Sequence, residues 1–368
     1  MKIGLITLSA SYNCGSMLQC FALKTLLSEY GNVEVINFSS KKSHAMYDFV
    51  PKCFLKKALL EKRTGLLKEL KEEVQAYESF KSQQLGISGE EFFANDLHKQ
   101  KDKYDVVVAG SDQVWNVLMS DFDEAFFCGW SNAKKVAYAP SLGGCDVRKS
   151  PNAPQVIEWI KQFDFLSVRE EIGKRCLEEV TGRKVEKILD PTLVIPVEKW
   201  KELVGEPIID EDYIFEYSWA YCDAGTRQIV ADRSSQTGLP VYVLDAHKWR
   251  THKPEEDGFI LCKEAGPLAF LNLMYYAKEC FVESFHGMLF AYMFEKNFWL
   301  LDTHQNYNEL DSRLKELVEL VGAKNRLVTK YNVSDVDFNV PFEYSNNALL
   351  VQGRKKSIEY LESVFKGL

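Results

Sequence analysis

The sequence predicts an α/β protein built from two Rossmann-like domains. Short apolar runs of strand length alternate with segments whose apolar residues recur at helical spacing, which is typical of a parallel sheet with helices on both faces. The chain has 368 residues, too many for one compact core. Pro191 and Pro196 interrupt regular structure near the middle. We therefore predict an N-terminal domain at 1–190, a C-terminal domain at 191–346 and a closing helix at 347–368.

The first domain opens with a βαβ unit. Residues 2–8 have the composition of a buried parallel strand, 14–30 show the apolar spacing of a helix, and 33–38 form a second apolar run. A stretch rich in lysine and glutamate at 54–84 is predicted to be helical. Further short strands are predicted at 105–111, 134–140, 165–168 and 185–189.

The second domain repeats the alternation. Strands are predicted at 213–218, 241–245, 279–284 and 298–302, with helices near 223–237, 266–278 and from about 287. In open α/β sheets, ligands bind at the carboxyl ends of the strands, where the connecting loops converge. We therefore expect the functional residues at strand ends, facing a cleft between the two domains.

Composition excludes several classes of protein. The chain is 46% hydrophobic and 27% charged, with a net charge of -8; this suits a soluble globular protein and argues against a nucleic-acid surface, which needs a basic footprint. Nine scattered cysteines without a CxxC pair predict reduced thiols in a cytoplasmic protein. His247, His252 and Cys262 match no common metal spacing, so no metal is predicted. No apolar run approaches the roughly 20 residues of a membrane span.

The first candidate site is "SASYNCGSMLQ" (9–19). Asn13 and Gly15 lie in the loop before a predicted helix, where free backbone N–H groups and the helix dipole favour an anion or a polar sugar group. A purely structural turn is the alternative, because Asn and Gly are routine turn residues.

The second is "VVVAGSDQVWN" (106–116). A strand runs into Ser111, Asp112 and Gln113, so a carboxylate and an amide stand where a ligand is expected, and Trp115 is placed to close the wall behind them. The alternative is a capped helix start with Ser111 or Asp112 as N-cap.

The third is "FDFLSVREEIGKR" (163–175). Arg169 stands where a strand ends and a helix begins, an unusual place because the first turn of a helix favours acidic groups. A positive group there suits a bound carboxylate or phosphate. The alternative is an ion pair with a nearby acid.

The fourth is "ECFVESFHGMLFAYMF" (279–294). His286 follows an apolar strand, beside Ser284 and Phe285, and is itself followed by Gly287. Histidine accepts or donates a proton near neutral pH, so a catalytic group is one interpretation and a packed structural histidine is the other. Gly287 lets a ligand or another backbone come close.

Together, in this order, these motifs resemble the polysaccharide pyruvyl transferase family. The resemblance runs from residue 1 to about 328 and is carried by "NCGSMLQCFAL", "YDVVVAGSDQVWN", "KKVAYAPSLG", "SVREEIG", "LDPTLV", "VESFHGMLFAYMF" and "LDSRLKELVELVGAKNRLV". It implies a GT-B-like arrangement with a central cleft, the final helix packing back toward the first domain. It also implies transfer of a group derived from phosphoenolpyruvate to sugar hydroxyls, giving a cyclic ketal and phosphate.

The resemblance implies roles for single residues. His286 matches the family's catalytic histidine and Arg169 an arginine that holds the donor. Some members carry an arginine where this chain has Ser284, so the donor grip is weaker, supplied from elsewhere or meant for another ligand.

We predict His286 as the principal general acid or base and Asp112 as a helper. The residues predicted to bind substrate are Arg169, Ser284, Phe285, Gly287, Asn13, Gly15, Ser111 and Gln113. Phosphoenolpyruvate is the donor, no cofactor is expected, and the acceptor is a saccharide or lipid-linked saccharide of cell-envelope exopolysaccharide biosynthesis. The oligomeric state stays open, a homo-oligomer included.

Two alternatives remain. One is a GT-B-type glycosyltransferase that uses a nucleotide sugar, with Asp112 or Glu283 as base; the other is a non-catalytic carbohydrate-binding protein. Phosphate release from phosphoenolpyruvate separates pyruvyl transfer from both alternatives, and nucleotide release marks the glycosyltransferase.

Overall fold

A computed structural model describes residues 1–43, 65–89, 91–218, 223–244, 254–302, 310–345 and 347–368. These residues form two compact α/β units. Unit 1 contains the described residues up to 43, from 79 to 195 and from 348 onward; unit 2 contains those from 65 to 78 and from 196 to 347. The domain limits proposed from the sequence stay predictions.

The order of strands and helices follows the alternation seen in the sequence. The described strands are β1 (Lys2–Ile6), β2 (Asn32–Val35), β3 (Val106–Ala109), β4 (Lys134–Ala137), β5 (Ser167–Val168), β6 (Glu186–Lys187), β7 (Ile214–Tyr217), β8 (Val241–Val243), β9 (Phe259–Leu261), β10 (Glu279–Val282), β11 (Asn297–Leu301) and β12 (Leu327–Val328). The described α-helices are α1 (Cys14–Leu27), α2 (Gly65–Gln83), α3 (Ala153–Lys161), α4 (Glu171–Thr181), α5 (Pro191–Val194), α6 (Val197–Val204), α7 (Ala224–Thr237), α8 (Gly266–Tyr276), α9 (Phe285–Met293), α10 (Ser312–Val321) and α11 (Ala348–Lys366).

Unit 1 is built on a parallel sheet. Its four described strands stand in the order β2-β1-β3-β4, and β5 and β6 form a separate parallel pair. β3 is buried along its whole length, which explains why it appears in the sequence as an unbroken apolar run. The chain leaves β1 toward β2 on one side and continues from β3 toward β4 on the other. The direction of winding therefore reverses between β1 and β3.

Trp115 belongs to the core of unit 1. It is fully buried, its indole N–H donates to the Phe126 carbonyl over 3.2 Å, and its ring packs against Phe127 and Phe163 at centroid distances of 5.3 and 5.2 Å. Trp115 therefore packs in the core behind residues 111–113, and a role in closing the wall of a ligand site stays a prediction. A tryptophan whose indole N–H has a hydrogen-bond partner packs readily in a hydrophobic core.

Unit 2 has the strand order of a Rossmann fold. Its six described strands are parallel in the order β12-β11-β10-β7-β8-β9, so β8 and β9 lie on one side of β7 and the later strands on the other. β9 and β12 were not predicted, because strands of only three and two residues are too short to show a recognisable apolar pattern. The winding reverses between β7 and β10, where doubly wound sheets bind their ligands.

The final helix, α11, packs within unit 1. The Tyr360 hydroxyl donates to the Ala137 carbonyl over 2.8 Å, and the Ser357 hydroxyl oxygen accepts from the Leu189 N–H over 3.0 Å. Phe365 stacks on Tyr30 with ring centroids 4.5 Å apart. The helix is thus held by contacts distant in sequence.

Within the described ranges, no helix is both long enough and apolar enough to cross a membrane. In the same part of the chain, no group of three or more His, Cys, Asp and Glu side chains is placed to hold a metal ion. His247 and His252 lie outside the described residues, as do Cys53 and Cys222. The other seven cysteines are buried free thiols.

Candidate active site

In unit 1, the loops after β1 and β3 meet where the winding of the sheet reverses. Asn13 caps α1: its side-chain oxygen accepts from the Ser16 N–H over 3.1 Å, and its backbone is extended with φ -135°. Gly15 is buried in the first turn of that helix. The structural turn weighed as an alternative is therefore present, and a ligand contact by either residue stays a prediction.

Asp112 is a buried carboxylate held by two donors. Its Oδ2 accepts from the Ser16 hydroxyl over 2.7 Å and its Oδ1 from the Gln113 N–H over 2.8 Å. Its backbone has φ +62°, a left-handed conformation that aspartate tolerates better than most residues. The Asp112 carbonyl accepts from the Ser141 N–H over 2.7 Å, which holds this turn in place. Residues 111–115 form turns rather than a helix, so the alternative of a capped helix start is wrong.

Ser111 and Gln113 make internal hydrogen bonds. The fully buried Ser111 hydroxyl is 3.0 Å from the Ala139 carbonyl and 3.3 Å from Asp190 Oδ2, either of which it can donate to. The Gln113 side-chain oxygen accepts from the Asn116 amide over 2.8 Å. Their proposed contacts with substrate stay predictions.

Arg169 lies in a buried ion-pair network. Its Nη1 donates to Asp190 Oδ2 over 2.7 Å and its Nε to Glu170 Oε1 over 3.1 Å, with only 5% of its side chain exposed. Burial by itself lowers the pKa of Arg169, but the carboxylates of Glu170, Asp190 and Asp112 outweigh it and raise the pKa above its ordinary value. The ion-pair alternative is confirmed, whereas a direct donor contact stays a prediction.

Asp190 anchors this network, although the sequence indicated it only as part of "LDPTLV". Its Oδ1 accepts from both the N–H and the hydroxyl of Thr192, over 3.1 and 2.6 Å, which caps α5. One guanidinium thus faces three carboxylates, those of Asp190, Glu170 and Asp112. Among the described residues, these carboxylates offset the positive charge that a bound anion would meet here.

In unit 2, the strand ends of β7 and β10 carry the second group of polar residues. β7 and β10 are neighbours, with Phe281 opposite Glu216 and Val282 opposite Tyr217. Ser218 follows the first strand and Glu283 the second. These residues stand at the reversal of winding in the sheet, which is the position favoured for ligands.

His286 is the second residue of α9. Ser284 is the N-cap, and its hydroxyl oxygen accepts from the Gly287 N–H over 3.0 Å. The imidazole is 8% exposed and meets the Phe285 ring edge to face, with centroids 5.2 Å apart. The helix start therefore fixes the histidine on a rigid element, and its catalytic role stays a prediction.

Gly287 serves helix packing. A Cβ at this position would lie 2.9 Å from Ser284 Oγ, 3.2 Å from Val282 Cβ and 3.3 Å from Tyr217 Cδ1. Protein atoms therefore hold the space on the Cβ side of the glycine, which is a close approach of protein that only glycine permits. Contact between Gly287 and substrate stays a prediction.

Glu216 is a functional candidate that sequence reasoning missed. Its side chain is almost fully buried, and its Oε1 accepts from the Ser218 hydroxyl over 3.0 Å. Burial raises the pKa of Glu216 to about 8; Ser218 and Arg227 oppose the shift, while Glu283 adds to it. The carboxyl is therefore mainly protonated at neutral pH. The available signal was an acid inside the apolar run "YIFEYS".

Comparison of the whole fold identifies its class. Methanocaldococcus jannaschii UDP-GlcNAc 2-epimerase in complex with UDP-GlcNAc and UDP matches with a TM-score of 0.59 at 13% identity, covering 100% of both chains. The S. aureus MnaA–UDP structure matches with a TM-score of 0.52 at 12% identity, covering 91% of this chain and 86% of that one. At such identities the likeness shows the fold alone, and it confirms the predicted GT-B-like fold class.

Comparison of the sequence identifies the family. A search among curated proteins finds no match. The model of the polysaccharide pyruvyl transferase family matches residues 13–305, which is well over half of the chain and includes the candidate residues of both units. The chain belongs to the polysaccharide pyruvyl transferase family.

Proposed function

We propose that this transferase moves a pyruvyl group from phosphoenolpyruvate to two hydroxyls of one saccharide, forming a cyclic ketal in a cell-surface glycan. The observation that carries the proposal is the polar group at the β7–β10 reversal of unit 2. There His286 lies in the first turn of helix α9, directly after β10, and the neighbouring strand β7 carries a buried carboxyl, Glu216, whose pKa is raised. Family membership supplies the class of reaction.

The reaction needs proton carriers. The methylene carbon of phosphoenolpyruvate gains a proton and becomes the ketal methyl group. Two sugar hydroxyls each form a bond to the donor's central carbon and lose a proton, while the bond from that carbon to the phosphate oxygen breaks. One proton released by the hydroxyls balances the methyl group and the other leaves with phosphate. A donor and an acceptor of protons at one site satisfy this balance.

His286 is assigned the principal proton transfer. Histidine works in either direction near neutral pH, and its place in the first turn of α9 keeps it on a rigid element. Glu216, inside β7, retains a proton to about pH 8, and it is a second candidate for proton transfer in unit 2. Asp112, in unit 1, stays a predicted helper.

Phosphoenolpyruvate carries a carboxylate and a phosphate and needs favourable electrostatics on a chain of net charge -8. The start of α9 offers backbone N–H groups and the positive end of a helix dipole. The Ser284 hydroxyl oxygen already accepts from one of these N–H groups. Serine is also uncharged, so it does not replace the positive charge of the arginine found at this position in some family members. The direct donor contact predicted for Arg169 would add positive charge, in competition with the carboxylates of Asp190, Glu170 and Asp112 that already face this guanidinium.

The test is donor turnover. Wild-type protein and His286→Ala are incubated with phosphoenolpyruvate and a panel of saccharides, and released phosphate and the ketal methyl signal in proton NMR are followed. We expect phosphate and ketal in equal amounts from wild type, and about a 10²–10⁴-fold lower kcat from the variant. Nucleotide release from a nucleotide sugar, with phosphoenolpyruvate untouched, would establish the glycosyltransferase alternative instead.

A further inference from the structure

Unit 1 contains a cavity away from the buried Arg169 network. Its volume is about 620 Å³, within the usual range of small-molecule sites of roughly 300–1,000 Å³. Four half-buried aromatic side chains line it, namely Phe93, Phe122, Trp130 and Trp159. None of them was singled out in the sequence, because the segments that carry them lie far apart along the chain.

The two tryptophans are held in place. The Trp130 indole N–H donates to the Ala125 carbonyl over 3.0 Å. The Trp159 ring packs against Gly129, where a Cβ would lie 2.6 Å from Cε2 and 2.7 Å from Cδ1 of that ring. Gly129 therefore has no side chain because the indole occupies the space. Rings fixed in this way lose little conformational entropy when a ligand packs on them.

The formal charges of the described residues that line the cavity balance. Lys41 and Lys42 line it together with Asp123 and Glu124, giving two formal positive and two formal negative groups. Burial raises the pKa of Asp123, although the Ala125 N–H and Lys42 oppose the shift. A phosphate or nucleotide would meet the carboxyl groups of Asp123 and Glu124, and a purely apolar ligand would leave the polar groups of the lining unused. An uncharged ligand with both apolar faces and hydroxyls fits this lining.

We propose that this cavity is the binding site for the saccharide acceptor. Aromatic rings match the apolar C–H faces of pyranose rings, while the Asn95 amide and the carboxyl of Glu124 are groups that hydrogen-bond sugar hydroxyls. The choice of a saccharide rests on the proposed function, whereas the location rests on the lining alone.

Asp121 lies next to the cavity. Ser40, on its rim, donates through its hydroxyl to the Asp121 carbonyl over 3.0 Å. The pKa of the buried Asp121 carboxyl is raised by burial and further by the charge of Asp112.

The test measures binding without phosphoenolpyruvate. Wild-type protein is applied to an array of bacterial and eukaryotic glycans, and the best binder is titrated by calorimetry against Trp159→Ala, Asn95→Ala and Leu118→Ala. We expect about a tenfold loss of affinity for Trp159→Ala and about fivefold for Asn95→Ala. Leu118 is 60% exposed and does not line the cavity, so its variant should bind like wild type.

Two outcomes overturn the proposal: no glycan on the array binds wild type, or the best binder holds equally well to Asn95→Ala and Trp159→Ala. If Trp159→Ala fails to fold, the glycan affinities of Asn95→Ala and Glu124→Gln decide the test. Both variants should fold, because position 95 is exposed and glutamine preserves the side-chain shape at position 124. Glycan binding that depends on these residues, without phosphate release from phosphoenolpyruvate, would retain the site and reject pyruvyl transfer. Ketal formation by Asn95→Ala and Glu124→Gln with an unaltered KM for the acceptor would retain pyruvyl transfer and reject this cavity as the acceptor site.

Discussion

Replacing Glu216 with glutamine should change how the stability of the protein depends on pH. The folded protein holds the pKa of this carboxyl at about 8 against an ordinary value of 4.5. The unfolded chain therefore ionises it near pH 4.5, while the folded chain keeps the proton up to about pH 8. Between these values unfolding releases a proton, so the free energy of unfolding falls by about 1.4 kcal/mol per pH unit as pH rises.

The size of the effect follows from that window. Below pH 4.5 the group is protonated in both states and contributes nothing, whereas above about pH 8 the full cost of about 5 kcal/mol applies. Between about pH 5 and pH 8 the wild type should lose about 3 kcal/mol of stability through this group. A glutamine side chain cannot ionise, but it keeps the shape and an oxygen for the Ser218 hydroxyl, so Glu216→Gln should lack this loss.

Urea unfolding followed by circular dichroism at about pH 5, 6, 7 and 8 measures the difference. Subtracting the variant from the wild type cancels other titrating groups. Glu206→Gln is the matched control, since Glu206 is exposed; it should shift stability by less than about 0.5 kcal/mol throughout. A difference between Glu216→Gln and wild type that stays constant across this pH range would refute a buried, protonated Glu216.

Further predictions concern other contacts. Arg169→Ala should lower the free energy of unfolding by about 3–5 kcal/mol in urea, because it leaves buried carboxylates without their partner. Arg175 is exposed, so the control Arg175→Ala should lower it by less than about 1 kcal/mol. Equal effects of the two substitutions would contradict the buried network. If Arg169 also holds the donor, calorimetry on folded Arg169→Ala should show phosphoenolpyruvate bound about 1.5–3 kcal/mol more weakly, and unchanged affinity removes it from the donor site. A folded His286→Gln with near-native kcat would make His286 structural. Asp112→Asn should lower kcat about tenfold or more if it helps, and unaltered kcat would end that assignment. Tyr360→Phe should cost about 1 kcal/mol in thermal unfolding by losing the bond to Ala137, and an unshifted midpoint would show that bond to be neutral.

The local pattern of the sequence determined much of the fold. Parallel strands buried on both faces appear as short apolar runs, and helices between them show apolar residues at three- and four-residue spacing, because backbone geometry sets both periods. The α/β class and most strands and helices followed from that. All four candidate motifs do lie at strand ends, and in three of them glycine, asparagine or serine marks the turn that leaves the strand. The family could be identified too, because its motifs are contiguous.

Only the tertiary structure decided how these strand ends are arranged and what their side chains contact. The strand orders that place reversals at β1–β3 and β7–β10 depend on pairing between distant segments. The sequence alone did not show that Arg169 forms an ion pair, which became evident only when the structure placed Asp190, 21 residues away, 2.7 Å from it. In the sequence, Glu216 is one acidic residue in a predicted strand. Its raised pKa arises from burial, which only the tertiary structure shows. Such contacts have no period in the sequence, because they arise where folding brings remote residues into one low-dielectric environment.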